Sequence, residues 1–204
     1  EEALGKLGIT YDRLDIFLTH KHHDHCGLAS EYAARGARLF MNPQEDRHCY
    51  DCLYYNHSHG SSEDQPQVLQ SVGVTEEGTP EIWNMFMEVN QRIRENRGWE
   101  FEIPGYPYTP VNEGQILSYG DYDLETVGLK GHTYGQMGLY DRNHKVLFCA
   151  DQVIDGIVPI VGTTYPDEHL LKGYFDSLER LKHQYGDCLI LPAHKEPIRD
   201  VKRV

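Results

Sequence analysis

The sequence has no long apolar run and comparatively few positive charges. No window approaches the roughly 18 uninterrupted apolar residues that a membrane-spanning helix needs, so we expect no membrane partner. Its 19 Lys and Arg residues are outnumbered by 32 Asp and Glu residues, which gives a formal charge of −13 at pH 7. Because nucleic-acid affinity comes mainly from Lys and Arg that neutralise phosphates, this composition argues against a nucleic-acid partner.

Cysteine is scarce and odd in number. The five cysteines are Cys26, Cys49, Cys52, Cys149 and Cys188. An odd count argues against a complete disulfide framework and favours a reducing compartment. Residues 1–6 lack the basic start and apolar middle of a secretory signal peptide. We therefore expect a cytoplasmic protein.

The length and composition predict one globular domain. The chain has 204 residues, of which 39% are apolar and 11% aromatic, enough to bury a core. The segment 44–110 differs from the rest because it holds most of the Gln, Asn and Ser. We interpret it as a partly helical inserted segment, a lid that contributes to the substrate pocket, within a domain that covers 1–204.

Hydrophobic periodicity predicts an α/β (α+β) fold. Apolar runs predict strands at 14–19, 37–41, 115–118, 122–128, 136–140, 145–149 and 188–191, and the runs from 115 to 149 form an antiparallel meander. A helix between Pro80 and Gly98 has an apolar stripe made of Ile82, Met85, Phe86, Val89 and Ile93. A second helix opens at Asp167 and ends near Gly186, with Leu170, Leu171, Tyr174, Phe175, Leu178 and Leu181 on its apolar side.

Histidine is abundant and clustered. The chain has 12 His, and four of them lie within the six positions from His20 to His25, directly after the predicted strand 14–19. On extended backbone the side chains of His20 and His22 point the same way and can grip one ion, while Asp24 and His25 project elsewhere. Imidazole and carboxylate ligands with an open coordination position suit zinc, and ligand type alone also allows iron or manganese.

Further candidate ligands follow other predicted strands. His132 lies in a Gly-flanked loop, Asp151 follows the run 147–150, and His194 follows the run 189–193. Each is a polar residue where an apolar run ends. A strand fixes the position of such a residue, and the loop leaves its side chain free to face a cleft.

The candidate ligands together resemble a known family. The run Thr19-His20-Lys21-His22-His23-Asp24-His25-Cys26-Gly27 resembles the THxHxDHxG signature of the metallo-β-lactamase fold superfamily, and Gly131-His132-Thr133, Asp151 and His194 follow in that family's order. The resemblance implies an αββα four-layer sandwich with the metals at one edge, here without the β-hairpins that family members carry ahead of the metal loop. Ala150 and Ala193 stand where the family usually has glycine, and we expect tighter turns there with no ligand lost.

The same resemblance implies a ligand set for two zinc ions. His20, His22 and His132 would hold the first ion, Asp24, His25 and His194 would hold the second, and Asp151 would bridge them. Two zinc ions that share a water lower its pKa from about 15.7 to about 7, which supplies a hydroxide at neutral pH. Asp24 would orient that hydroxide, and Tyr165 or Tyr134 could donate a hydrogen bond to the developing oxyanion.

This chemistry fits a binuclear zinc hydrolase that cleaves an ester, thioester, lactone or amide, as in the glyoxalase II and lactonase branches of that family. The loop 153–166 is apolar, and the segment 44–110 supplies Tyr54, Tyr55, Trp83 and Tyr106. Together they predict a largely hydrophobic pocket for a small-molecule substrate.

Other interpretations stay open. A mononuclear iron dioxygenase of the persulfide type uses two His and one carboxylate in the same fold. A nuclease of the ribonuclease Z type fits less well because of the negative charge. A degenerate binding module is disfavoured, since no ligand position is missing. The sequence does not set the oligomeric state, and pairing of two copies into a homodimer through the insertion is one alternative.

Overall fold

The computed structural model describes residues 2–47, 69–70, 73–95, 105–161 and 168–199. The chain forms two compact units: Glu1–His48 with Gly105–Val204, and Cys49–Pro104. Both sheets and all the candidate metal ligands belong to the first unit. In the described ranges, no helix has the length and apolar character that crossing a bilayer requires.

Three parallel strands form the smaller sheet of the first unit. β1 (Asp15–Leu18) pairs with β2 (Arg38–Met41), which pairs with β3 (Thr109–Pro110). Helices α1 (Glu2–Leu7), α2 (His23–Cys26) and α3 (Ala29–Ala34) precede or connect these strands, with 3₁₀ turns at Tyr11–Arg13 and Pro43–Arg47. The strands predicted at 14–19 and 37–41 are confirmed.

The larger sheet has five strands. In spatial order they are β4 (Ile116–Tyr119), β5 (Tyr122–Gly128), β6 (Met137–Asp141), β7 (Val146–Ala150) and β8 (Leu189–Pro192). Neighbours from β4 to β7 are antiparallel, which confirms the predicted meander, and β8 pairs parallel with β7.

The two sheets face each other. Phe17 of β1 lines one cavity of about 350 Å³ together with Leu124 and Leu139 of the larger sheet. The hydroxyl of Tyr119 donates a hydrogen bond to Asp15 Oδ2 at 2.9 Å, which links β4 to β1. With helices outside the paired sheets, the first unit has the predicted αββα architecture.

Helix α4 (Pro80–Glu95) belongs to the second unit. The predicted helix is confirmed, but its predicted apolar stripe is wrong: Ile82, Met85 and Phe86 are 45%, 56% and 46% exposed, whereas Trp83 is 9% exposed. Trp83 has the largest apolar surface of these residues, and the face that it occupies is the buried one. The side chains of Val89 and Ile93 lie outside the described residues.

Helix α5 (Leu170–Gln184) packs on the larger sheet of the first unit. Leu181 of this helix and the following Tyr185 join a core that includes Val127 of β5, Leu147 of β7 and Ile190 of β8. The predicted helix is confirmed, and Asp167, its predicted first residue, lies outside the described residues. The predicted apolar side is too wide, because Leu171 and Phe175 are each 58% exposed. A helix on one face of a sheet buries a single stripe, here the one that carries Leu170 and Leu181.

Candidate metal centre

The first loop of the candidate site begins directly after β1. Residues 19–22 have no regular secondary structure, and α2 then starts at His23. The backbone N–H of His25 donates to the carbonyl of His22 at 3.0 Å, which closes this short turn. His20 and His22 precede this turn, whereas Asp24 and His25 lie on it. The two pairs of side chains therefore belong to two different clusters of candidate ligands.

The first cluster consists of three imidazoles, those of His20, His22 and His132. The Nδ1 atom of His22 lies 3.1 Å from Nε2 of His20 and 2.9 Å from Nε2 of His132. On the outer side of these rings, Thr19 Oγ1 lies 3.0 Å from His20 Nδ1, and His132 Nδ1 donates to the carbonyl of Ile160 at 2.7 Å. These outer contacts orient the rings of His20 and His132 so that Nε2 of each faces His22. We call His20, His22 and His132 the buried group, since His20 and His132 are 0% and 8% exposed.

A second group lies closer to solvent. Nε2 of His194 lies 3.1 Å from Oδ2 of Asp24, and Nε2 of His25 lies 3.4 Å from the same oxygen. The side chains of Asp24 and His194 are 58% and 44% exposed, whereas that of His25 is 11% exposed. We call Asp24, His25 and His194 the open group. It combines one carboxylate with two imidazoles at a place that water and a substrate can reach.

Asp151 lies between the two groups. Its Oδ2 atom is 3.4 Å from Nε2 of His25 and 3.6 Å from Nε2 of both His132 and His194. One carboxylate therefore faces a member of the buried group and two members of the open group. This is the position that a ligand shared by two ions requires.

The backbone before Asp151 is strained. Ala150 has a φ of +53°, in the left-handed region that favours glycine. Ala193, which precedes His194, does not have a positive φ. The loss of the family's usual glycine thus has a structural consequence at Asp151 but not at His194.

The donor atoms of the site fit divalent cations. Oδ1 of Asp151 and Nε2 of His25 are buried without a hydrogen-bond partner in the described part of the protein. Buried polar atoms normally have a partner, so these two atoms call for one. In each group, one donor atom from each residue lies within 4.8 Å of the others. Imidazole nitrogens and carboxylate oxygens at such distances are ligands for zinc, iron or manganese.

Burial keeps the imidazoles of the buried group uncharged. Desolvation, reinforced by the neighbouring His132, lowers the pKa of His22 to about 4, and desolvation also lowers the pKa of His20 and His132. Burial acts to raise the pKa of Asp151, but the surrounding imidazoles, His25 first, outweigh it and lower this pKa overall. At neutral pH the site therefore presents free nitrogen lone pairs and a negative carboxylate, the forms that bind a cation.

Buried polar residues that the sequence analysis did not single out support the loops. Gln136 is 1% exposed; its Oε1 accepts the backbone N–H of Asp151 at 3.3 Å, and its Nε2 donates to Gln152 Oε1 at 3.0 Å. Glu45 is fully buried and contacts both the loop that carries His20 and His22 and the loop that carries His132. Burial raises the pKa of Glu45 even though its hydrogen bonds act to lower it. Neither residue belongs to a sequence motif, so only its long-range contacts identify it.

The loop after Asp151 lines a cavity of about 330 Å³ that is mostly apolar and also has the charged Glu179 and Lys182 in its wall. Its walls include Val153, Ile157 and Pro159 of the loop and Tyr174 and Leu178 of α5. The same loop supplies the Ile160 carbonyl that accepts a hydrogen bond from His132, one residue after Pro159 of the cavity wall. Of the loop 153–166, residues 153–161 are described, and the use of this cavity as the substrate pocket stays a prediction.

Of the tyrosines predicted to line the pocket or bind the oxyanion, only some lie within the described residues. Tyr165, Tyr54 and Tyr55 lie outside the described residues, so their roles stay predictions. Tyr134 is half-buried, with Lys130 Nζ 4.2 Å from its ring centroid. The hydroxyl of Tyr106 donates to Sδ of Met41 at 3.9 Å.

Solved structures share this fold. A metallo-beta-lactamase family protein, TTHA1429 from Thermus thermophilus, is similar with a TM-score of 0.70 and 26% identity, over 100% of this chain and 62% of that chain. TTHA1623, solved in a di-iron-bound form, has a TM-score of 0.59 at 20% identity, over 98% of this chain and 78% of that chain. The second likeness shows the fold alone.

Curated proteins match over a shorter stretch. An acyl-coenzyme A thioesterase, MBLAC2 from Gallus gallus, is 42% identical over 53 residues, which are 26% of this chain and 19% of that protein. MBLAC2 from Homo sapiens is 32% identical over 63 residues, 29% of this chain and 23% of that protein. These matches span about a fifth of the length of the relatives. The family model of the metallo-beta-lactamase superfamily, by contrast, matches residues 14–194, and the chain belongs to that superfamily.

Proposed function

We propose that this protein is a hydrolase that binds two divalent metal ions and cleaves the thioester, ester, lactone or amide bond of a small, fairly hydrophobic substrate. The observation that carries the proposal is the position of Asp151, whose Oδ2 lies 3.6 Å from imidazoles of both the buried and the open group. A carboxylate shared in this way supports a pair of ions more than a single one.

The proposed ligands follow the two groups. His20, His22 and His132 would hold one ion, Asp24, His25 and His194 would hold the other, and Asp151 would contact both. The bound ions would supply a hydroxide at neutral pH and polarise the carbonyl oxygen of the substrate. Zinc is the ion we propose, and the donor types also fit iron or manganese.

Asp24 is the residue that we propose orients the nucleophile. Its Oδ2 lies 3.1 Å from Nε2 of His194, and its side chain is 58% exposed. This carboxylate therefore contacts another member of the open group and is accessible to solvent. From that position it can accept a hydrogen bond from the attacking water and fix its direction. Tyr165 is the proposed donor to the oxyanion that forms when the carbonyl is attacked.

The apolar cavity supports an acyl group as the part of the substrate that the protein binds. A cavity of about 330 Å³ lined by Val153, Ile157 and Leu178 can take a hydrocarbon chain. The likeness to acyl-coenzyme A thioesterases favours the thioester among the four bond types. A formal charge of −13 supports a small-molecule substrate over a nucleic acid.

A second candidate is a mononuclear iron oxygenase of the persulfide dioxygenase type. His20, His25 and Asp151 also bring one ligand atom each within 4.8 Å of the others. Two His and one carboxylate form the donor set of non-haem iron oxygenases.

Elemental analysis of protein purified without added metal tests the proposal. We expect about two zinc ions per chain and hydrolysis of an acyl thioester that His22→Ala abolishes. The matched control is His183→Ala, which removes an exposed histidine of α5 that pairs with Glu179. About one iron per chain, with oxygen consumed in the presence of a persulfide, would favour the oxygenase instead. A chain that binds no divalent metal would refute both functions.

A further inference from the structure

Glu45 is a fully buried carboxylate that belongs to neither group of candidate ligands. It lies in the 3₁₀ turn Pro43–Arg47, directly after β2. Removing a carboxylate from water is costly, so a buried one is retained only where hydrogen bonds compensate. Its partners therefore indicate what it does.

The carboxylate of Glu45 accepts three hydrogen bonds from described residues, and these connect two separate loops. Its Oε2 accepts the backbone N–H of Lys21 at 2.9 Å. Its Oε1 accepts the hydroxyl of Thr133 at 2.8 Å and the backbone N–H of Gly135 at 2.6 Å. Lys21 stands between His20 and His22 in the chain, and Thr133 directly follows His132. One carboxylate thus connects the two loops that supply all three imidazoles of the buried group.

The second loop is pressed closely against the turn that carries Glu45. A Cβ atom at Gly135 would lie 2.9 Å from the Glu45 backbone nitrogen and 2.9 Å from its Oε1. No side chain fits there, so a glycine is required for the approach. The spacing between the loops is therefore set by direct contact as well as by the hydrogen bonds.

We infer that Glu45 is a positioning residue: it holds His20 and His22 at the distance from His132 at which the three rings bind one ion. This inference rests on the metal centre proposed for the hydrolase. Among the described residues, Glu45 forms no hydrogen bond or ion pair with a candidate ligand side chain, and it acts through the backbone of Lys21 and Gly135 and the hydroxyl of Thr133. Residues that orient ligands in this way typically change metal affinity about 10- to 100-fold when they are mutated.

A carboxylate is the side chain that this position requires. Three donors converge on two oxygens, and the two from Lys21 and Gly135 are backbone N–H groups that cannot become acceptors. Glutamine offers one oxygen and one NH₂ group, and these two N–H groups bond opposite oxygens of Glu45. In either orientation the NH₂ of a glutamine would face a backbone N–H, so Glu45→Gln forces one loop away.

The test compares Glu45→Gln with Asp46→Asn, its neighbour in the same turn. Asp46 accepts a hydrogen bond from Lys21 Nζ at 2.9 Å and another from the hydroxyl of Tyr108, so it contacts the Lys21 side chain and not the backbone of either loop. Zinc affinity is measured by competition with a chromophoric chelator, and kcat and KM are measured for the thioester that the wild type hydrolyses.

For Glu45→Gln we expect at least about tenfold weaker binding of one of the two ions, a lower kcat and an unchanged KM. Asp46→Asn should stay within about twofold of the wild type in all three quantities. A purely structural role would lower the thermal stability of the metal-free protein and leave both zinc affinities unchanged, and that result would overturn the inference. Wild-type protein that binds no metal would instead contradict the proposed function.

Thr133→Val keeps the inference testable if Glu45→Gln does not fold. It removes one of the three donors and leaves the two backbone hydrogen bonds of Glu45 in place. We expect a loss of about three- to tenfold in the affinity for the same ion, smaller than for Glu45→Gln. Wild-type affinity in a folded Thr133→Val protein would overturn the inference.

Discussion

The buried and open groups use similar side chains in different surroundings. The buried group has three imidazoles, and outer contacts to Thr19 and to the Ile160 carbonyl orient two of them, His20 and His132. The open group includes Asp24, 58% exposed, and His194, 44% exposed. The difference supports a division of roles within the proposed centre: the buried group would retain an ion, and the open group would be accessible to water and substrate.

The largest expected effect comes from the residue that the two groups share. Asp151→Ala removes the one carboxylate that faces both groups, so both ions should bind weakly and hydrolysis should fall by about 1000-fold or more, equivalent to about 4 kcal/mol. Metal content and kcat/KM are the quantities to measure. Retention of two ions with full activity would contradict the shared role of Asp151.

His194→Ala separates the two groups. Because His194 contributes only to the open group, this variant should keep about one ion per chain while hydrolysis falls by about 100-fold. His22→Ala should lose the preorganised ion instead. Dialysis against increasing concentrations of chelator, followed by elemental analysis, compares the metal content of the two variants directly. Equal retention of metal in both would contradict different roles for the buried and open groups.

The stability of the metal-free protein should depend on pH because of the buried group. The pKa of His22 is lowered to about 4 in the folded protein, whereas an unfolded histidine has a pKa near 6.5. Between these values the unfolded chain binds more protons than the folded one, so stability is fully present above about pH 6.5 and is lost as the pH falls toward 4. The pKa values of His20 and His132 are also lowered in the folded protein, so these residues change the stability with pH in the same direction.

Chemical denaturation of the chelator-treated protein at several pH values between 7 and 4 measures this effect. His22→Gln should show a shallower loss of the free energy of unfolding across that range. An identical slope in the wild type and the variant would remove His22 as a cause.

The smallest expected effect concerns the alanines that precede Asp151 and His194. Ala150 has a φ of +53°, and the carbonyl of Ala150 accepts a hydrogen bond from the N–H of Ala193 at 3.0 Å. Ala150→Gly relieves the strain and should raise the free energy of unfolding by about 0.5–1 kcal/mol, whereas Ala193→Gly adds only freedom to the unfolded chain and should lower it by a similar amount. Urea denaturation of both variants tests this, and a change of the same sign in both would contradict the interpretation.

The sequence predicted seven of the eight strands in the described residues and the closeness of the candidate ligands, but it missed the two-residue strand β3 inside the segment 44–110. Strand periodicity is a local signal, and polar residues at the ends of apolar runs meet where strand ends meet, as His20 after β1 and Asp151 after β7 do. The predicted helix faces were less accurate. Leu171 and Phe175 fit the apolar period of α5, yet both are 58% exposed, because which part of a wide apolar face packs depends on the partner surface.

Glu45 and Gln136 could not be found from the sequence. The hydrogen bond from Thr133 to Glu45 joins residues 88 positions apart, and the one from Lys21 joins residues 24 positions apart. Contacts at such separations leave no periodic trace along the chain. Only the assembled fold shows that these side chains hold the loops of the candidate ligands.

The spread of the ligands along the chain also links metal binding to folding. His20, His22, Asp24 and His25 lie within six positions, so an unfolded chain keeps part of a binding site. His132, Asp151 and His194 join them only after β6, β7 and β8 have assembled. An ion at the proposed centre would therefore bind the folded chain more tightly than the unfolded one, and free metal at 1000 times its dissociation constant would stabilise the fold by up to about 4 kcal/mol. Metal supply in the cell would then set how much of this protein survives unfolding and proteolysis as well as how fast it works.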